Sequence, residues 1–247
     1  MSEKNENKGN KLKKLFQIYV KIEEYERWVT MRMRNLPWAK QYLKEHNYVV
    51  SQPSEMKGKW KQHLNREVLH VEIGCGKGDY FTKMGLLHPE CGWVAIEKNH
   101  SVAAVAMKKF DLIEDDKSHM ALIQDDAQAI ESWFDEKEID VIHLNFSDPW
   151  PKKRAHKKRL SSHTFIKQYA KILSDDGEIQ MKSDNKDLFE YSILEFQNYG
   201  WYLHDFSVDF RRNESDDVIS EYERRFMNLG QPIYRAVWKK YKIETEE

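Results

Sequence analysis

Short apolar runs alternate with longer amphipathic segments from residue 68 to residue 199. Five apolar runs bounded by turn residues predict strands at 68–73, 93–97, 120–126, 140–147 and 178–182. Apolar residues at helical spacing predict helices at 80–87, through Val102, Val105 and Met107, up to Phe134, at 165–173 and at 188–199. Strands that alternate with helices are typical of parallel βαβ units. The pattern therefore predicts an α/β fold with a doubly wound, mostly parallel sheet.

The segment ahead of this pattern differs from it in composition. Residues 1–30 mix Lys with Glu, and apolar residues between Leu12 and Val29 recur at helical spacing, so we expect an N-terminal extension with a short helix. Residues 31–38 form an arm with two arginines, Pro37 and Trp38. No internal repeat or linker interrupts the rest, which predicts a single domain over 31–247 that includes the arm.

Composition narrows the class of protein. The chain has 247 residues, of which 40% are apolar and 13% aromatic, so it can bury a substantial core. Its net charge is -1, so any affinity for nucleic acid must come from a local patch rather than from the field of the whole protein. The mean hydropathy is -0.82, and no apolar run is long enough to cross a membrane.

The cysteine content is low. Cys75 and Cys91 form no CxxC motif, which excludes a disulfide scaffold and a cysteine-based zinc site, and we expect no metal. Such cysteine usage fits a reducing compartment, and the N-terminus has no signal-peptide pattern. The sequence therefore predicts a soluble cytoplasmic protein.

A glycine-rich turn follows the first predicted strand, where ligands bind in sheets of this kind. Gly74, Gly76 and Gly78 permit a tight turn and a close approach of backbone N–H groups to a ligand. The dinucleotide fingerprint requires glycine or alanine where this chain has Asp79, so that fingerprint is not met. A turn of this kind taken alone is also compatible with a loop that binds nothing.

Acidic residues end or flank the first three predicted strands. Glu72, Glu97 and Asp126 would meet at one crevice, and Glu97 follows Gly78 by 19 residues, the offset at which an acid meets a ribose diol. A solvated strand end is the alternative for any one of them. Three together suit a ligand with hydroxyls, an amine and a positive charge, and S-adenosylmethionine has all three. An anionic nucleotide would be repelled.

An acidic and aromatic corner follows the fourth predicted strand and runs directly into a basic block. Asp148 faces the same crevice, Pro149 and Pro151 stiffen the loop, and Trp150 offers a flat face for a base. Six of the eight residues from Lys152 to Arg159 are Lys or Arg, and arginine binds phosphate bidentately. A structural turn with a buried Trp and a solvated helical face are the alternatives. The position of this block beside the acidic crevice favours a nucleic acid as partner.

The chain resembles the bacterial tRNA (guanine-N7-)-methyltransferase family from about residue 31 to residue 240. The resemblance is carried by Met31-Arg-Met-Arg34, Pro37-Trp38, Glu72-Ile-Gly-Cys-Gly-Lys-Gly78, Ile96-Glu97, Asn145-Phe-Ser-Asp-Pro-Trp-Pro-Lys-Lys-Arg154, Lys182-Ser-Asp-Asn185, Ser220-Glu-Tyr-Glu223 and Gly230-Gln-Pro-Ile-Tyr-Arg235. The long central segment and the two C-terminal ones are far more specific than the glycine turn. The resemblance implies a Rossmann-like class I methyltransferase fold. It also implies methyl transfer from S-adenosyl-L-methionine to N7 of guanine 46 in the tRNA variable loop.

The same resemblance implies a role for each matching residue. The cofactor would be held by Glu72, Gly74, Gly76, Gly78, Glu97, Asp126 and Asp148. Asp148 would also be the catalytic residue. The substrate would be held by Lys152, Asp184, Ser220, Glu221, Tyr222 and Glu223. The RNA would be contacted by Arg154, His156, Lys157, Lys158 and Arg159.

The chain departs from the family at two places. Gln124 stands where the family usually has Asn before the third acid, which leaves the adenine contact less defined. Residues 1–30 have no counterpart, so they are either an added helix or an upstream reading of the start.

Two other classes of function remain open. One is an RNA-binding module whose cofactor fold no longer works, although the intact glycine turn, Glu97 and Asp148 favour an enzyme. The other is a methyltransferase that acts on a base amino group, because Ser147-Asp-Pro-Trp150 resembles the corner of such enzymes; Ser220-Glu-Tyr-Glu223 speaks against it. A pyrimidine C5 enzyme needs a nucleophilic cysteine, and neither cysteine is placed as one. We expect tRNA as partner, no membrane and no obligate protein partner, with a monomer or a homodimer both possible.

Overall fold

The computed structural model describes residues 35–213 and 217–241. The predicted helix between Leu12 and Val29 and the arginines of the arm lie outside these residues. Pro37 and Trp38 lie within them and lead into the first described helix.

Seven strands form one sheet in the described part of the chain, in the spatial order β3-β2-β1-β4-β5-β7-β6. Their bounds are β1 Leu69–Ile73, β2 Gly92–Ile96, β3 Met120–Ile123, β4 Ile139–Asn145, β5 Leu173–Ser183, β6 Trp201–Ser207 and β7 Tyr234–Lys240. The first five strands are parallel, and β7 is antiparallel to both β5 and β6. The strand order reverses between β1 and β4, and this switch point is where sheets of this type bind ligands.

Seven α-helices lie within residues 35–213 and 217–241, two of them before β1 and the others between or after the strands. They are α1 Ala39–Glu45, α2 Trp60–Leu64, α3 Asp79–Leu87, α4 His100–Asp111, α5 His163–Ile172, α6 Lys186–Asn198 and α7 Glu221–Asn228. Asparagine caps two of them: Asn99 accepts from the amides of Ser101 and Val102, and Asn185 accepts from that of Leu188. No described helix is long and apolar enough to cross a membrane.

The core lies on both faces of the sheet. Along β2, Val94 and Ile96 join a cluster that contains residues of α5 and α6, whereas Trp93 and Ala95 join a second cluster with residues of α3 and α4. Successive side chains of a strand point to opposite faces, so a fully apolar strand must be covered on both sides. The first five strands run parallel between these two clusters, so their carboxyl ends lie at one edge of the sheet.

The five predicted strands and the α/β fold are confirmed, with two differences. The segment predicted as a helix up to Phe134 is a 3-10 helix at Ala127–Ser132. The prediction had no counterpart for α1, α2, β6, β7 and α7. β6 is the edge strand and most of its side chains are exposed, and α7 buries only Glu223, so neither element contributes a buried apolar run.

Candidate active site

A cleft with two adjoining lobes opens at the carboxyl ends of β1, β2 and β4. The first, which we call the Glu72 lobe, has a volume of about 410 Å³. The second, the Asp148 lobe, has about 440 Å³ and is lined also by Glu97 and Asp126. Gly74, Val102 and Phe146 line both lobes and form the wall that they share. Six of the seven predicted cofactor residues thus lie in one continuous region: Glu72, Gly74, Gly76, Glu97, Asp126 and Asp148.

The glycine turn is pinned to the end of β2. The amides of Gly74 and Cys75 both donate to the carbonyl of Ile96, at 2.8 and 3.1 Å. Gly74 and Gly76 have φ angles of 78° and 57°, and a Cβ on either would meet nothing within 4 Å. Both therefore have left-handed backbone and face open space. At Gly78, in contrast, a Cβ would lie 2.9 Å from that of Ala106, so this glycine allows close packing against α4.

Glu72 is a buried acid with one unsatisfied oxygen. It is 2% exposed, and its Oε1 accepts a hydrogen bond of 3.0 Å from Asn145 Nδ2. Among the described residues, its Oε2 has no hydrogen-bond partner of normal geometry. Burial raises the pKa of Glu72 to about 7, against the opposing effects of the Asn145 hydrogen bond and the charge of Lys182. A cationic donor at Oε2 would satisfy this carboxyl group.

Glu97 and Asp126 carry the other predicted cofactor contacts. Glu97 accepts from the amide of Gly76 at 3.1 Å and from that of Asn99 at 2.8 Å, which ties the glycine turn to the start of α4. Burial raises the pKa of Glu97. Asp126 caps the 3-10 helix by accepting from the amide of Gln128 at 3.1 Å. Gln124, which departs from the family pattern, is occupied elsewhere: its Nε2 donates to the carbonyl of Lys98 at 3.0 Å.

The predicted catalytic corner has strained backbone on both sides of Asp148. Phe146 and Trp150 have φ angles of 50° and 39°, a region that non-glycine residues adopt at a cost of about 1–2 kcal/mol each. The ammonium groups of Lys98 and Lys158 lie 5.8 and 4.8 Å from the centroid of the Trp150 ring. The backbone bends twice within five residues, and the bend places Asp148 in the wall of the lobe.

The basic block separates into an exposed part and a buried residue. A 3-10 helix at Lys153–Lys158 has no buried residue, so the predicted RNA contacts Arg154, His156, Lys157 and Lys158 are accessible. Arg159 is 3% exposed, its Nε donates to the carbonyl of Pro149 at 2.8 Å, and its guanidinium lies 4.3 Å from the Tyr191 ring centroid. Arg159 is buried and bonded to the loop that carries Asp148, so the structure does not support the prediction that it touches RNA.

Lys182 lies in a buried network of four charges at the C-terminal motif. Glu223 is 0% exposed, and its two oxygens pair with Lys182 at 3.1 Å and with Arg211 at 2.6 Å. Asp217 pairs with the same two cations, at 2.6 and 3.0 Å. A substrate cannot reach the Glu223 carboxylate, which was predicted to hold one. Instead this residue fixes the first turn of α7.

The other predicted substrate residues lie around the cleft. Ser220 caps α7 by accepting from the amide of Glu223 at 3.1 Å, so its hydroxyl has a structural use, while it also lines the Glu72 lobe together with Glu221 and Tyr222. Lys152 is exposed at the start of the basic 3-10 helix, and Asp184 follows β5; neither lines a lobe. The pKa of Tyr222 is raised, mainly by burial and then by the negative charges of Asp184 and, more weakly, Asp148. Tyr222, Asp184 and Asp148 therefore lie in one region.

Several residues of the site were missed by sequence reasoning. Asn145 and Lys182 are the first residues of two segments that carry the family resemblance, and this position could have identified them as site residues. No sequence signal pointed to Asp79, Lys109 or Arg211, because their partners are distant in the chain. Asp79 lies 30 residues from Lys109 and 142 from Glu221, and Arg211 lies 12 from Glu223. Among the described residues, no cluster of three His, Cys, Asp or Glu side chains could hold a metal ion.

Comparison with known proteins places this chain among RNA methyltransferases. A family described as "Putative methyltransferase" matches residues 66–236. A tRNA (guanine-N(7)-)-methyltransferase of Bacillus licheniformis is 41% identical over 214 residues, which are 85% of this chain and 100% of the relative. Enzymes of the same name from Lachnoclostridium phytofermentans and Lactococcus lactis subsp. lactis are 39% and 41% identical, and the matches cover 97% and 96% of them.

Solved structures share the fold at low sequence identity. A 16S rRNA (adenine(1408)-N(1))-methyltransferase from Catenulisporales acidiphilia superposes with a TM-score of 0.53 at 11% identity, over 79% of this chain and 94% of that one. The 16S rRNA methyltransferase KamB gives 0.53 at 12% identity, over 75% and 92%. These likenesses establish the Rossmann-like class I methyltransferase architecture alone.

Proposed function

Because the chain belongs to the bacterial tRNA (guanine-N(7)-)-methyltransferase family, we propose that it methylates N7 of guanine 46 in the tRNA variable loop. One observation supports the placement of this chemistry: Asp148 lines the same lobe as the acids Glu97 and Asp126, and the exposed basic 3-10 helix begins five residues after it. The cofactor side and the RNA side of the reaction therefore meet at one residue.

S-adenosyl-L-methionine fits the residues of the cleft. It supplies an electrophilic methyl group on a sulfonium. The unpartnered Oε2 of Glu72 suits its ammonium group, and the carboxylates of Glu97 and Asp126 suit its hydroxyl and amino donors. The open faces of Gly74 and Gly76 leave room for a ligand against the backbone. These residues would hold the cofactor.

In this proposal Asp148 stabilises the positive charge that develops on the purine and does not accept a proton. Guanine N7 has an in-plane lone pair and no proton to lose, so its methylation needs no general base. The purine gains positive charge in the reaction, and a fixed carboxylate at the cleft wall stabilises that charge and orients the base through its N–H groups. The strained turns at Phe146 and Trp150 set the course of the backbone that carries Asp148 into the wall of the lobe.

The tRNA is held by residues on two sides of the cleft. Arg154, Lys157 and Lys158 are accessible on the basic 3-10 helix and provide affinity for phosphates, with Lys152 and His156 beside them. Glu221, Tyr222 and Asp184 provide polar and aromatic contacts on the other side for the base. A cytoplasmic location, where tRNA is processed, is part of this proposal.

Nucleoside analysis of tRNA after incubation with the protein and cofactor tests the proposal. An unmodified transcript with guanine at position 46 should give N7-methylguanosine, and a matched transcript with adenine there should give none. A product methylated on an exocyclic amine would overturn the proposed reaction. N7-methylguanosine from the adenine-46 transcript would overturn the proposed position.

A further inference from the structure

A single carboxylate joins the glycine turn to the helix that carries the predicted substrate residues. Asp79 follows Gly78 directly, as the first residue of α3, and it is 6% exposed. Its Oδ2 accepts a hydrogen bond of 2.9 Å from the backbone amide of Glu221, the first residue of α7. These two residues are separated by 142 positions in the chain, so tertiary structure alone creates this contact.

The orientation of this carboxylate is fixed by a buried ion pair. Oδ1 of Asp79 accepts from Lys109 Nζ at 2.7 Å, and the two side chains are 7% and 1% exposed. Lys109 belongs to α4, whose residue Ala106 packs against Gly78. A buried charge pair of this kind has a narrow range of favourable geometries, because misalignment leaves a desolvated charge without its partner. Asp79 is therefore attached both to the glycine turn and to α4.

A second contact joins the same two segments at the surface of the Glu72 lobe. Lys77, between Gly76 and Gly78, donates to both carboxylate oxygens of Glu221, at 3.3 and 3.2 Å. Lys77, Asp79, Glu221 and Tyr222 all line this lobe. A ligand on the glycine turn would therefore lie beside Glu221 and Tyr222 in the same lobe.

We infer that Asp79 is a positioning residue that links cofactor binding to the first turn of α7, so that the bound cofactor further stabilises this turn and raises the affinity for tRNA. This inference rests on the proposed function, since it concerns the cofactor and substrate of that reaction. Coupling between two ligands is reciprocal, so tRNA should tighten cofactor binding by the same factor. Contacts of this directness support a coupling factor of about tenfold, within the usual range of roughly 5–150.

The first test needs no RNA. Hydrogen–deuterium exchange of the segment 220–228 is measured with and without S-adenosylhomocysteine, which has no methyl to transfer. Exchange should slow on binding in the unaltered protein. Unchanged exchange in this segment at saturating ligand would overturn the inference, whether or not the protein methylates tRNA.

The second test uses a pair of matched double variants. Asp79→Ala/Lys109→Met removes the acceptor together with both buried charges, which avoids a lone buried lysine. Asp79→Asn/Lys109→Met removes the same charges but keeps an oxygen for the Glu221 amide. The affinity for an unmodified tRNA transcript is measured with and without S-adenosylhomocysteine. The Asn/Met variant should retain the tightening, and the Ala/Met variant should lose it while each ligand alone still binds.

The outcomes separate this inference from the proposed function. Equal coupling in the two double variants, or no coupling in the unaltered protein that still produces N7-methylguanosine, would overturn the role of Asp79 alone. Failure of the unaltered protein to bind tRNA would overturn the proposed function, and the exchange measurement would still decide whether Asp79 transmits cofactor binding to α7.

Discussion

Asn145 donates a hydrogen bond of 3.0 Å to Glu72, across the carboxyl ends of the adjacent strands β4 and β1. The bond uses one carboxylate oxygen and leaves the other buried and without a partner of normal geometry among the described residues. The side chain of Glu72 is therefore held in one orientation but incompletely satisfied. Such an acid binds a proton more readily than an exposed glutamate does, and a cationic donor would satisfy its second oxygen.

This arrangement makes the stability of the empty protein depend on pH. Burial raises the pKa of Glu72 from 4.5 to about 7, so the folded state binds a proton more tightly than the unfolded state does. Stability should fall as the pH rises from about 4.5 to about 7, and the cost above that range is on the order of 3 kcal/mol. Glu72→Gln should therefore raise the melting temperature at pH 8 by several degrees, at about 2–4 °C per kcal/mol.

Calorimetric melting without cofactor at pH 5 and pH 8 checks this prediction. The variant and the unaltered protein should differ little at pH 5, where Glu72 is already protonated in the folded state. Glu67→Gln, at an exposed position just before β1, is the matched control and should change neither value. A lower melting temperature for Glu72→Gln at pH 8 would contradict the assignment of a raised pKa.

Glu97→Ala should weaken S-adenosylmethionine binding by about tenfold or more while tRNA binding persists. The variant loses an acceptor for the ligand and also releases the amides of Gly76 and Asn99, at a cost of about 1–3 kcal/mol. Isothermal titration with S-adenosylhomocysteine measures the loss. Glu97→Gln retains one acceptor, so its affinity for the ligand should lie between those of Glu97→Ala and the unaltered protein. Unchanged affinity in Glu97→Ala would remove this residue from the cofactor site.

Asp148→Asn should lower the rate of methylation by about 10²-fold or more, the scale of losing one preorganised electrostatic group. The amide keeps the size and one acceptor but removes the negative charge from the wall of the lobe. Single-turnover methylation at saturating cofactor and tRNA measures the chemical step. The melting temperature and the tRNA affinity should stay near those of the unaltered protein. A rate close to the original one would make Asp148 a structural turn residue.

The exposed basic helix should control the salt dependence of tRNA binding. Replacement of Arg154, Lys157 and Lys158 by Gln should reduce the slope of log affinity against log salt by about 2–3, since each phosphate contact contributes about 0.7–0.9. Arg159 is left in place because it is buried.

A matched triple variant serves as control for this slope. Lys57, Lys137 and Lys171 pair with carboxylates near the amino ends of β4 and β5, at the opposite edge of the sheet from the cleft. Their replacement by Gln should leave the slope unchanged. Equal slopes for the two triple variants would show that the basic helix is only a solvated surface.

Lys182→Met should destabilise the protein by about 3–5 kcal/mol, because it breaks a buried pair and leaves Asp217 and Glu223 with a single cation. Lys186, four residues further on, makes only an exposed pair with Glu190, and Lys186→Met should change stability by about 0.5 kcal/mol or less. Chemical denaturation of the two variants gives the comparison. Similar losses in both would contradict the structural role of the Lys182 network.

Much of the site could be predicted because an acidic residue stands at the carboxyl end of each of the first three strands. Glu72, Glu97 and Asp126 stand at or just after the ends of β1, β2 and β3, and parallel neighbours must bring those ends to one edge of the sheet. The same reasoning placed Asp148 after β4. The prediction did not include the last two strands. β6 is a mostly exposed edge strand, and the buried run of β7 is only three residues long, so neither shows the extended apolar pattern of the other strands.

The sequence by itself determined the α/β fold, the strand ends that build the cleft and the basic character of the loop beside it. These follow from local periodicity and from the direction of parallel strands. Tertiary structure alone decided which charged residues are accessible. Lys158 and Arg159 are neighbours of equal charge, yet only Lys158 is exposed; Glu223 is enclosed by Lys182 and Arg211. Burial and charge pairing depend on which distant segments meet, and local sequence patterns do not contain that information.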